Sequence, residues 1–427
     1  MSLGIGVIGA GTVGGGVIQT LLTQKNAIAR KTSAQLELVH IADTLPERFK
    51  EFALGPNVRT STDATALIED PNVAVVCELI GGLQPAKRFI AQALRAGKHV
   101  VTANKMLLAH SGPELCQIAQ EHGVELRYEA AVAGGIPIIK ALREGLAANN
   151  IQRVYGILNG TCNYILSRMT YDGLDFADAL RQAQELGFAE TPPDLDIEGH
   201  DTAHKCQIIA SLCYSTEIAL DDIYVEGITR VSHADVAYAD ELGYLIKLLA
   251  VVREAGDAIE ARVHPTLVPK QHLLASVRHE FNAVYVKGDV TDATLYYGRG
   301  AGRMPTAGAV VADLVDIARR STGPAPAPFV YGPKRPIRDM GRIEGAYYLR
   351  LTTQDQPGVL GKVCTALGNH RVSIAWCIQK GEIANGAVHV ILMTHETVES
   401  AVQSALSEID QMDFIVEPTH VLRVLQE

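Results

Sequence analysis

The residues best suited to catalysis lie where an acidic segment leads into a helix. Asp201 and Lys205 are four positions apart, so they share one face of a helix that the pattern predicts to begin near Ile197. A lysine amine can exchange a proton with a substrate, and a carboxylate one turn away can orient that amine. The same spacing is also typical of a surface salt bridge, and the residues alone leave both interpretations open.

The acidic segment itself indicates which kind of ligand would bind. Its carboxylates crowd into the stretch 190–201 and are Glu190, Asp194, Asp196, Glu198 and Asp201. This density favours a site for a cationic or zwitterionic ligand, because carboxylates bind ammonium groups. His200 and His204 also stand one helical turn apart, but a helical zinc protease uses H-E-x-x-H where this chain has H-D-T-A-H. We therefore expect no zinc site there.

Two further polar segments follow predicted strands. Lys105 comes just after a strand at 99–102, and the carboxyl end of such a strand is where ligands bind in open α/β sheets. A lysine at that position could reach a nicotinamide and a substrate, or it could be an ordinary surface residue. The segment 159–163 joins a strand at 153–158 to a helix at 164–170. It either contacts a small ligand or simply caps that helix.

A dinucleotide fold is the first element that must position these residues. The apolar strand 3–8 runs into a GxGxxG segment and then into a helical pattern. Gly9 would make the tight turn, Gly11 would let the backbone approach a pyrophosphate, and Gly14 would let helix and strand pack closely. The predicted cofactor-binding residues here are Gly9, Gly11, Thr12, Val13 and Gly14.

Alternating strands and helices continue through the first third of the chain. Strands at 36–41 and 73–79 and helices at 85–96 and 114–121 predict an α/β fold with a doubly wound parallel sheet. Asp43 closes the second strand, where an acid binds the ribose 2′-hydroxyl of NAD, whereas nearby basic residues suit the 2′-phosphate of NADP. Arg48 and Lys50 follow closely, so the choice between NAD and NADP stays open.

The C-terminal part of the chain has a different pattern. Five prolines fall between Ser321 and Gly345, which predicts a linker. Beyond it the strand and helix signals follow the order β-α-β-β-α-β, which is typical of a ferredoxin-like module. The segment Asp355-Gln356-Pro357-Gly358-Val359-Leu360 resembles an ACT domain, a small module that binds amino acids at subunit contacts. A module that serves only dimerisation is the alternative.

Composition limits the classes of function that the chain can have. It has 427 residues, 47% apolar and 20% charged, with a formal net charge of −10. These values exclude a disordered chain and predict two or three domains. They also predict no binding to nucleic acid or to membranes, since the charge is negative and no apolar stretch approaches ~18 residues. Seven cysteines without a CxxC pair predict a reducing, cytoplasmic location.

Longer segments resemble the homoserine dehydrogenases of the long bacterial type, which carry a C-terminal ACT domain. The resemblance spans essentially the whole chain and includes the acidic segment up to Lys205. The other matching segments are GAGTVG at 9–14, CELIGG at 77–82, TANK at 102–105, EAAVAGGIPII at 129–139, GILNGTCNYI at 156–165, SVRHEFNAVYVKG at 276–288 and GRGAGRMPTAGAVVAD at 298–313. Together they are far more specific than GxGxxG alone.

The resemblance implies an activity and a set of residues for it. The activity is NAD(P)H-linked interconversion of L-aspartate 4-semialdehyde and L-homoserine, in the biosynthesis of threonine, methionine and isoleucine. Lys205 would be the acid/base, Asp201 would position it or relay protons, and Lys105 would support the reacting oxygen and the cofactor. The residues implied in substrate binding are Glu190, Asp196, Lys105, Gly160 and Thr161, with Glu190 and Asp196 on the ammonium group.

The resemblance also implies further ligands and partners. A sodium ion would bind Glu129 and main-chain oxygens of Val132, Gly134 and Ile136. Main-chain oxygens suit such a hard cation. Gly302 would return the chain to the cofactor. A homodimer or homotetramer is expected, with threonine as an effector of the ACT domain. Two departures from the family pattern are Ala42, where a basic residue is common, and Glu198, where asparagine is common.

The predicted architecture follows from both kinds of evidence. We expect a Rossmann-type cofactor domain at 1–134, to which the chain returns at about 300–320, and an α+β substrate-binding, catalytic and dimerisation domain at 135–300. A linker at 321–345 and a ferredoxin-like ACT domain at 346–427 complete it. Two alternatives are another Rossmann–ACT dehydrogenase, for a hydroxy acid or prephenate, and a nucleotide- and amino-acid-binding sensor without turnover. The first would require a catalytic histidine with an arginine partner.

Overall fold

The chain forms two compact units, each built from several separate segments. The computed structural model describes residues 2–32, 35–320, 329–384 and 386–426, so part of the predicted linker, 321–328, lies outside the described residues. The first unit comprises Met1–Gly160, Ala203–Asp222 and Phe281–Arg335. The second comprises Thr161–Thr202, Ile223–Glu280 and Pro336–Glu427.

Strands and helices alternate along the first part of the chain. The strands are β1 (Ser2–Ile8), β2 (Gln35–Ala42), β3 (Arg59–Ser61), β4 (Val75–Glu78), β5 (His99–Thr102), β6 (Leu126–Arg127), β7 (Ile151–Ile157), β8 (Tyr224–Val225), β9 (Tyr244–Ala255), β10 (Ala258–Pro269), β11 (Phe281–Gly288), β12 (Asp292–Arg299), β13 (Glu344–Gly345), β14 (Tyr347–Gln354), β15 (Ile374–Ala384), β16 (Ala387–Thr394), β17 (Thr397–Val398) and β18 (Ile415–Val424). The α-helices are α1 (Thr12–Thr23), α2 (Lys25–Thr32), α3 (Ala64–Glu69), α4 (Ala86–Arg95), α5 (Lys105–Glu121), α6 (Ile138–Lys140), α7 (Gly160–Asp172), α8 (Phe176–Glu185), α9 (Asp194–Ile197), α10 (His200–Tyr214), α11 (His233–Glu241), α12 (Arg303–Arg320), α13 (Val359–Asn369) and α14 (Glu399–Ile409).

A parallel six-stranded sheet forms the centre of the first unit. Its strand order is β3-β2-β1-β4-β5-β6, and every neighbouring pair is parallel. This is the doubly wound order 3-2-1-4-5-6 of dinucleotide-binding folds, in which ligands bind where the order reverses, between the first and fourth strands. The predicted α/β class and parallel sheet are therefore confirmed.

Helix α12 completes this unit by packing on α1. Gly16 permits the contact, because a Cβ at that position would lie 2.6 Å from the carbonyl oxygen of Arg303 and 3.0 Å from Ala307 Cβ. Val310 and Leu314 of α12 then join Val17 of α1 in one buried cluster. A helix from residue 303 onward therefore forms part of the nucleotide fold that begins at residue 2.

The second unit contains a sheet with the order β9-β10-β18-β14-β16-β15. Its last four strands and helices α13 and α14 follow the chain order β-α-β-β-α-β, with sheet order 4-1-3-2 and antiparallel neighbours. This is a ferredoxin-like module, as predicted. The side chains of Leu349 and Leu351 on the sheet and Val363 and Leu406 on the helices are buried together beneath the two helices.

Two predicted helix boundaries were wrong. The helix expected near Ile197 begins at His200, because Gly199 adopts a left-handed backbone conformation with φ of +86° that separates it from the short helix α9. The helix expected at 114–121 begins at Lys105, because the Asn104 side chain accepts a hydrogen bond from Leu107 N and caps it. Within the described ranges, no helix has the length and apolar character needed to cross a membrane.

Candidate active site

A cleft of about 770 Å³ opens at the carboxyl ends of the parallel strands in the first unit. Residues that follow five different strands line it, including Gly9 after β1, Asp43 after β2 and Asn104 after β5. This is the edge of a doubly wound sheet at which dinucleotides bind. The cleft brings together the predicted residues Gly9, Gly11, Thr12, Val13 and Asp43.

The glycines of this cleft have different physical reasons to be glycine. Gly9 has φ of +94°, and a Cβ there would lie 2.9 Å from Leu79 O. A Cβ at Gly14 would lie 1.7 Å from Gly9 O, so this glycine allows helix and strand to meet. At Gly11 the nearest heavy atom would be Arg48 Nη1, at 3.7 Å. Gly11 therefore leaves space in front of the α1 N-terminus, where a pyrophosphate could accept its unpaired N–H groups.

Asp43 is held by protein groups at the floor of the cleft. Its carboxylate accepts hydrogen bonds from Ala10 N at 2.6 Å, Leu45 N at 2.8 Å and Arg48 Nη1 at 3.1 Å. Burial alone would raise the pKa of Asp43, but these hydrogen bonds and the Arg48 charge hold it below its usual value. Asp43 is therefore an anion, while the Arg48 side chain stays 39% exposed.

A buried network, which was not predicted, shapes the loop beside Lys105. Glu78, at the end of β4, accepts from Ile80 N at 2.9 Å and from Thr102 Oγ1 at 2.8 Å. Asn104 donates to Gly82 O at 2.7 Å and caps α5. Burial raises the pKa of Glu78. The sequence signal that could have indicated this network is the acidic residue Glu78 at the end of an otherwise apolar strand. The network fixes the start of α5, and thus the position of Lys105.

Lys205 lies on a helix that packs against α5. The rings of His110 on α5 and His204 on α10 are 5.9 Å apart, and Gln207 Nε2 lies 3.5 Å from Ala109 O. Lys205 is 8% exposed, and its Nζ donates to Leu158 O, just after β7, at 2.6 Å. The structure thus brings the helices that carry Lys105 and Lys205 into contact within the first unit.

The start of α7, the helix that begins at Gly160, is hydrogen-bonded to residues on both sides of Glu190 in the second unit. Thr161 Oγ1 donates to Phe188 O at 2.6 Å, and Cys162 Sγ donates to Asp196 O at 3.1 Å. Glu190 is exposed and Asp196 is half-buried, so both are accessible to a ligand that binds from solvent. Asp201 is buried in the first turn of α10.

The predicted cation segment is a buried turn in the first unit. Glu129 accepts hydrogen bonds from Ile139 N and Lys140 N at 2.9 and 2.8 Å, and burial raises its pKa. Val132 and Ile136 are buried, and a Cβ at Gly134 would lie 2.4 Å from Gly300 O. The described residues include no cluster of three His, Cys, Asp or Glu side chains that could hold a metal.

Gly302 immediately precedes α12. Its φ of +124° suits glycine, and its carbonyl accepts from Thr306 N at 3.1 Å. A side chain is disfavoured at this backbone angle, and Gly302 turns the chain from β12 into the helix that packs on α1. Its predicted contact with the cofactor remains a prediction.

Known proteins share both the sequence and the fold. Residues 9–129 match the family model described as the homoserine dehydrogenase NAD binding domain, and residues 137–315 match that of homoserine dehydrogenase. The homoserine dehydrogenase of Neisseria gonorrhoeae is 44% identical over 427 residues, 98% of each chain. A crystal structure of the homoserine dehydrogenase from Thiobacillus denitrificans superposes with a TM-score of 0.94 at 43% identity, over 100% of this chain and 99% of that one.

A more distant relative carries a ligand. A hyperthermophilic archaeal homoserine dehydrogenase in complex with NADPH is 25% identical and covers 74% of this chain and 98% of its own, with a TM-score of 0.62. The predicted function is confirmed by the full-length relatives, and the glycine-lined cleft fits a nicotinamide cofactor. The chain belongs to the homoserine dehydrogenase family of NAD(P)-dependent oxidoreductases.

Proposed function

We propose that Lys205 is the acid/base with which this chain interconverts L-homoserine and L-aspartate 4-semialdehyde. When bound, the nicotinamide cofactor supplies or accepts the hydride at C4. Lys205 takes the proton of the C4 hydroxyl during oxidation and returns it to the carbonyl oxygen during reduction. Asp201, one turn earlier, orients the amine, and Lys105 binds the reacting oxygen. The observation that best supports this role is the buried Lys205 amine, which donates a hydrogen bond to Leu158 O. Lys205 lies on α10, a helix that contacts α5.

A direct assay tests this function against its alternatives. Absorbance of the reduced nicotinamide should change with homoserine, and with aspartate 4-semialdehyde in the opposite direction. Prephenate and a small hydroxy acid serve as control substrates and should give no turnover. Turnover of a control substrate in place of homoserine, or binding of nucleotide without turnover, would favour one of the two alternatives named above.

We also propose that the cleft accepts NADP(H) better than NAD(H). Asp43 is already saturated by three protein donors, so it is poorly placed to accept a ribose hydroxyl. The Arg48 guanidinium lies at the cleft surface beside Gly11 and can pair with a 2′-phosphate.

Replacing Arg48 by alanine should therefore weaken the binding of NADPH and leave that of NADH nearly unchanged. We expect the KM for NADPH to rise about tenfold, because one charge-assisted contact of about 1.4 kcal/mol is lost, and the KM for NADH to change less than twofold. Lys50→Ala removes an exposed lysine two positions away and should leave both values unchanged. Equal increases for the two cofactors would contradict a 2′-phosphate role for Arg48.

We assign the substrate ammonium group to Glu190 and Asp196. Both are accessible in the second unit, and the hydrogen bonds of Thr161 and Cys162 tie the segment that carries them to α7. Glu190→Gln should raise the KM for homoserine about tenfold, because it removes one charge from an ion pair, with kcat changed less than threefold. Glu185→Gln, at the exposed end of α8, is the matched control. An unchanged KM in Glu190→Gln would refute the assignment.

We propose that the C-terminal module is an ACT domain that binds threonine and inhibits the enzyme. A route for coupling exists within the second unit. Asp235 of α11 accepts from Arg350 Nε at 2.8 Å, Tyr348 Oη at 3.1 Å and His420 Nδ1 at 3.0 Å, all on the module. Calorimetry of the whole chain should show heat on threonine addition, and homoserine affinity should fall by a coupling of about 1–3 kcal/mol. Absence of heat together with unchanged activity would exclude threonine.

Four further assignments are proposals as well. We place a sodium ion at Glu129, Val132, Gly134 and Ile136, a proposal supported by the burial of the Glu129 carboxylate and of the neighbouring Val132 and Ile136. We assign the cofactor domain to 1–134 and 300–320, the substrate-binding domain to 135–300, the linker to 321–345 and the ACT domain to 346–427. We also expect a homodimer or homotetramer. We place the enzyme in the cytoplasm, a proposal that rests on the odd number of cysteines and the lack of a CxxC pair in the sequence.

A further inference from the structure

The first turn of α7 is tied to several other segments of the second unit. Beyond the hydrogen bonds of Thr161 to Phe188 and of Cys162 to Asp196, the next residue adds another. Asn163 is 2% exposed, and its Nδ2 donates to His279 O at 2.8 Å. Three consecutive side chains of α7 therefore contact three different places in the chain. Two of these places, Phe188 and Asp196, lie on either side of Glu190 in the sequence.

Lys247 holds the other end of the Asn163 amide. This lysine of β9 is 2% exposed, and its Nζ donates to Asn163 Oδ1 at 3.0 Å and to Val277 O at 2.5 Å. Burial, and secondarily the charge of Arg278, lower the pKa of Lys247 to about 7. The two hydrogen bonds of the Lys247 amine therefore connect α7 to the loop at Val277.

The loop that faces Lys247 is conformationally constrained. His279 has φ of +55°, a left-handed conformation that is uncommon for residues other than glycine. Such a residue persists when surrounding contacts over-determine it. Two of these contacts come from α7, since His279 N donates to Ser167 Oγ at 2.9 Å and His279 O accepts from Asn163 Nδ2. The polar cluster around Asn163 is therefore a rigid base for the helix start.

We propose that Lys247 is a positioning residue for substrate binding, which orients the Asn163 amide and so sets the first turn of α7 against the segment that carries Glu190 and Asp196. Lys247 does not contact substrate in this role, because its buried amine is bonded to Asn163 and Val277. Displacement of a binding group by about 1 Å can cost up to two orders of magnitude in rate or affinity. The inference rests on the proposed function, which makes Glu190 and Asp196 the substrate carboxylates.

The nearly isosteric variant Lys247→Met tests this proposal. We expect the KM for homoserine to rise about tenfold, while kcat and the KM for NADPH change less than twofold. Lys98→Met is the matched control, because Lys98 Nζ also donates to two carbonyls, Asp70 O at 2.7 Å and Val73 O at 2.5 Å, but in the first unit. Both variants should lower Tm, and only Lys247→Met should raise the homoserine KM. A lowered Tm with an unchanged KM in Lys247→Met would overturn the proposal.

A double-mutant cycle tests whether Lys247 acts through Asn163. In the Asn163→Leu background, Lys247→Met should add less than a twofold rise in the homoserine KM, because the contact is already gone. A full additional tenfold rise would overturn the proposed route. If Lys247→Met does not fold, Lys247→Gln is measured instead. Its side chain keeps an amide donor, so its KM for homoserine should lie between the wild-type value and a tenfold rise. A wild-type KM there would count against the proposal. Failure of the proposed function would appear separately, as an unchanged KM in Glu190→Gln.

Discussion

Lys205→Met should lower kcat for homoserine oxidation by about 10²- to 10⁴-fold, the range that a positioned acid/base contributes. The methionine side chain has nearly the same length and packs in the same buried space, but it can neither accept nor deliver the hydroxyl proton. The Leu158 carbonyl loses its donor, so some loss of stability is expected as well. Steady-state rates in both directions, measured at saturating substrate, give the comparison.

The binding of cofactor separates loss of chemistry from loss of fold. The Kd for NADPH, measured by fluorescence titration, should change less than threefold in Lys205→Met, since the glycine-lined cleft lies in other segments of the chain. Lys98→Met, which also removes a lysine donor from backbone carbonyls, should retain at least half of wild-type kcat. Retention of turnover by Lys205→Met would show that the acid/base is another residue.

Gly14→Ala should unfold or strongly destabilise the nucleotide fold. A Cβ would lie 1.7 Å from Gly9 O, which is a backbone atom and cannot rotate away, so α1 and β1 must separate. We expect a loss of about 3 kcal/mol or more, which for a chain of this size lowers Tm by roughly 6 °C or more. Thermal unfolding followed by circular dichroism measures the change.

Gly11→Ala is the matched variant, and it should change cofactor binding rather than stability. Gly11 has an extended backbone with φ of −70°, and its added methyl group would find Arg48 Nη1 at 3.7 Å, so the fold should keep its Tm within about 2 °C. The methyl group would occupy the space in front of α1, and the KM for NADPH should rise at least tenfold. Similar Tm losses in both variants would contradict the division of roles between these glycines.

Local patterns predicted the nucleotide fold well. The strand, GxGxxG turn and helix at 3–22 depend on neighbours in sequence, and so does the four-residue spacing of Asp201 and Lys205. The start of α10 was placed three residues early, because no local pattern shows that Gly199 adopts positive φ. Nothing next to Gly16 in sequence indicates that it packs against α12, a partner almost 300 residues away.

Long-range polar networks account for most of what the sequence did not predict. Glu78 and Lys247 lie in strands, and nothing adjacent to either residue indicates its partners Thr102 and Asn163. Burial of such groups is acceptable because each one is hydrogen-bonded, and those bonds form only when distant segments meet. Substrate identity came from long family-specific segments, whereas residue types and spacing had pointed only to an ammonium-binding site near a lysine.

The division of the first unit into three segments has a consequence for synthesis on the ribosome. The chain leaves this unit twice and returns to it twice before α12 is added. At about 5–20 residues per second, α12 follows α1 after tens of seconds, and until then the face of α1 around Gly16 has no partner. We therefore expect the nascent nucleotide fold to expose an apolar surface for most of translation. During this time chaperones can bind that surface, and the fold is not complete without α12.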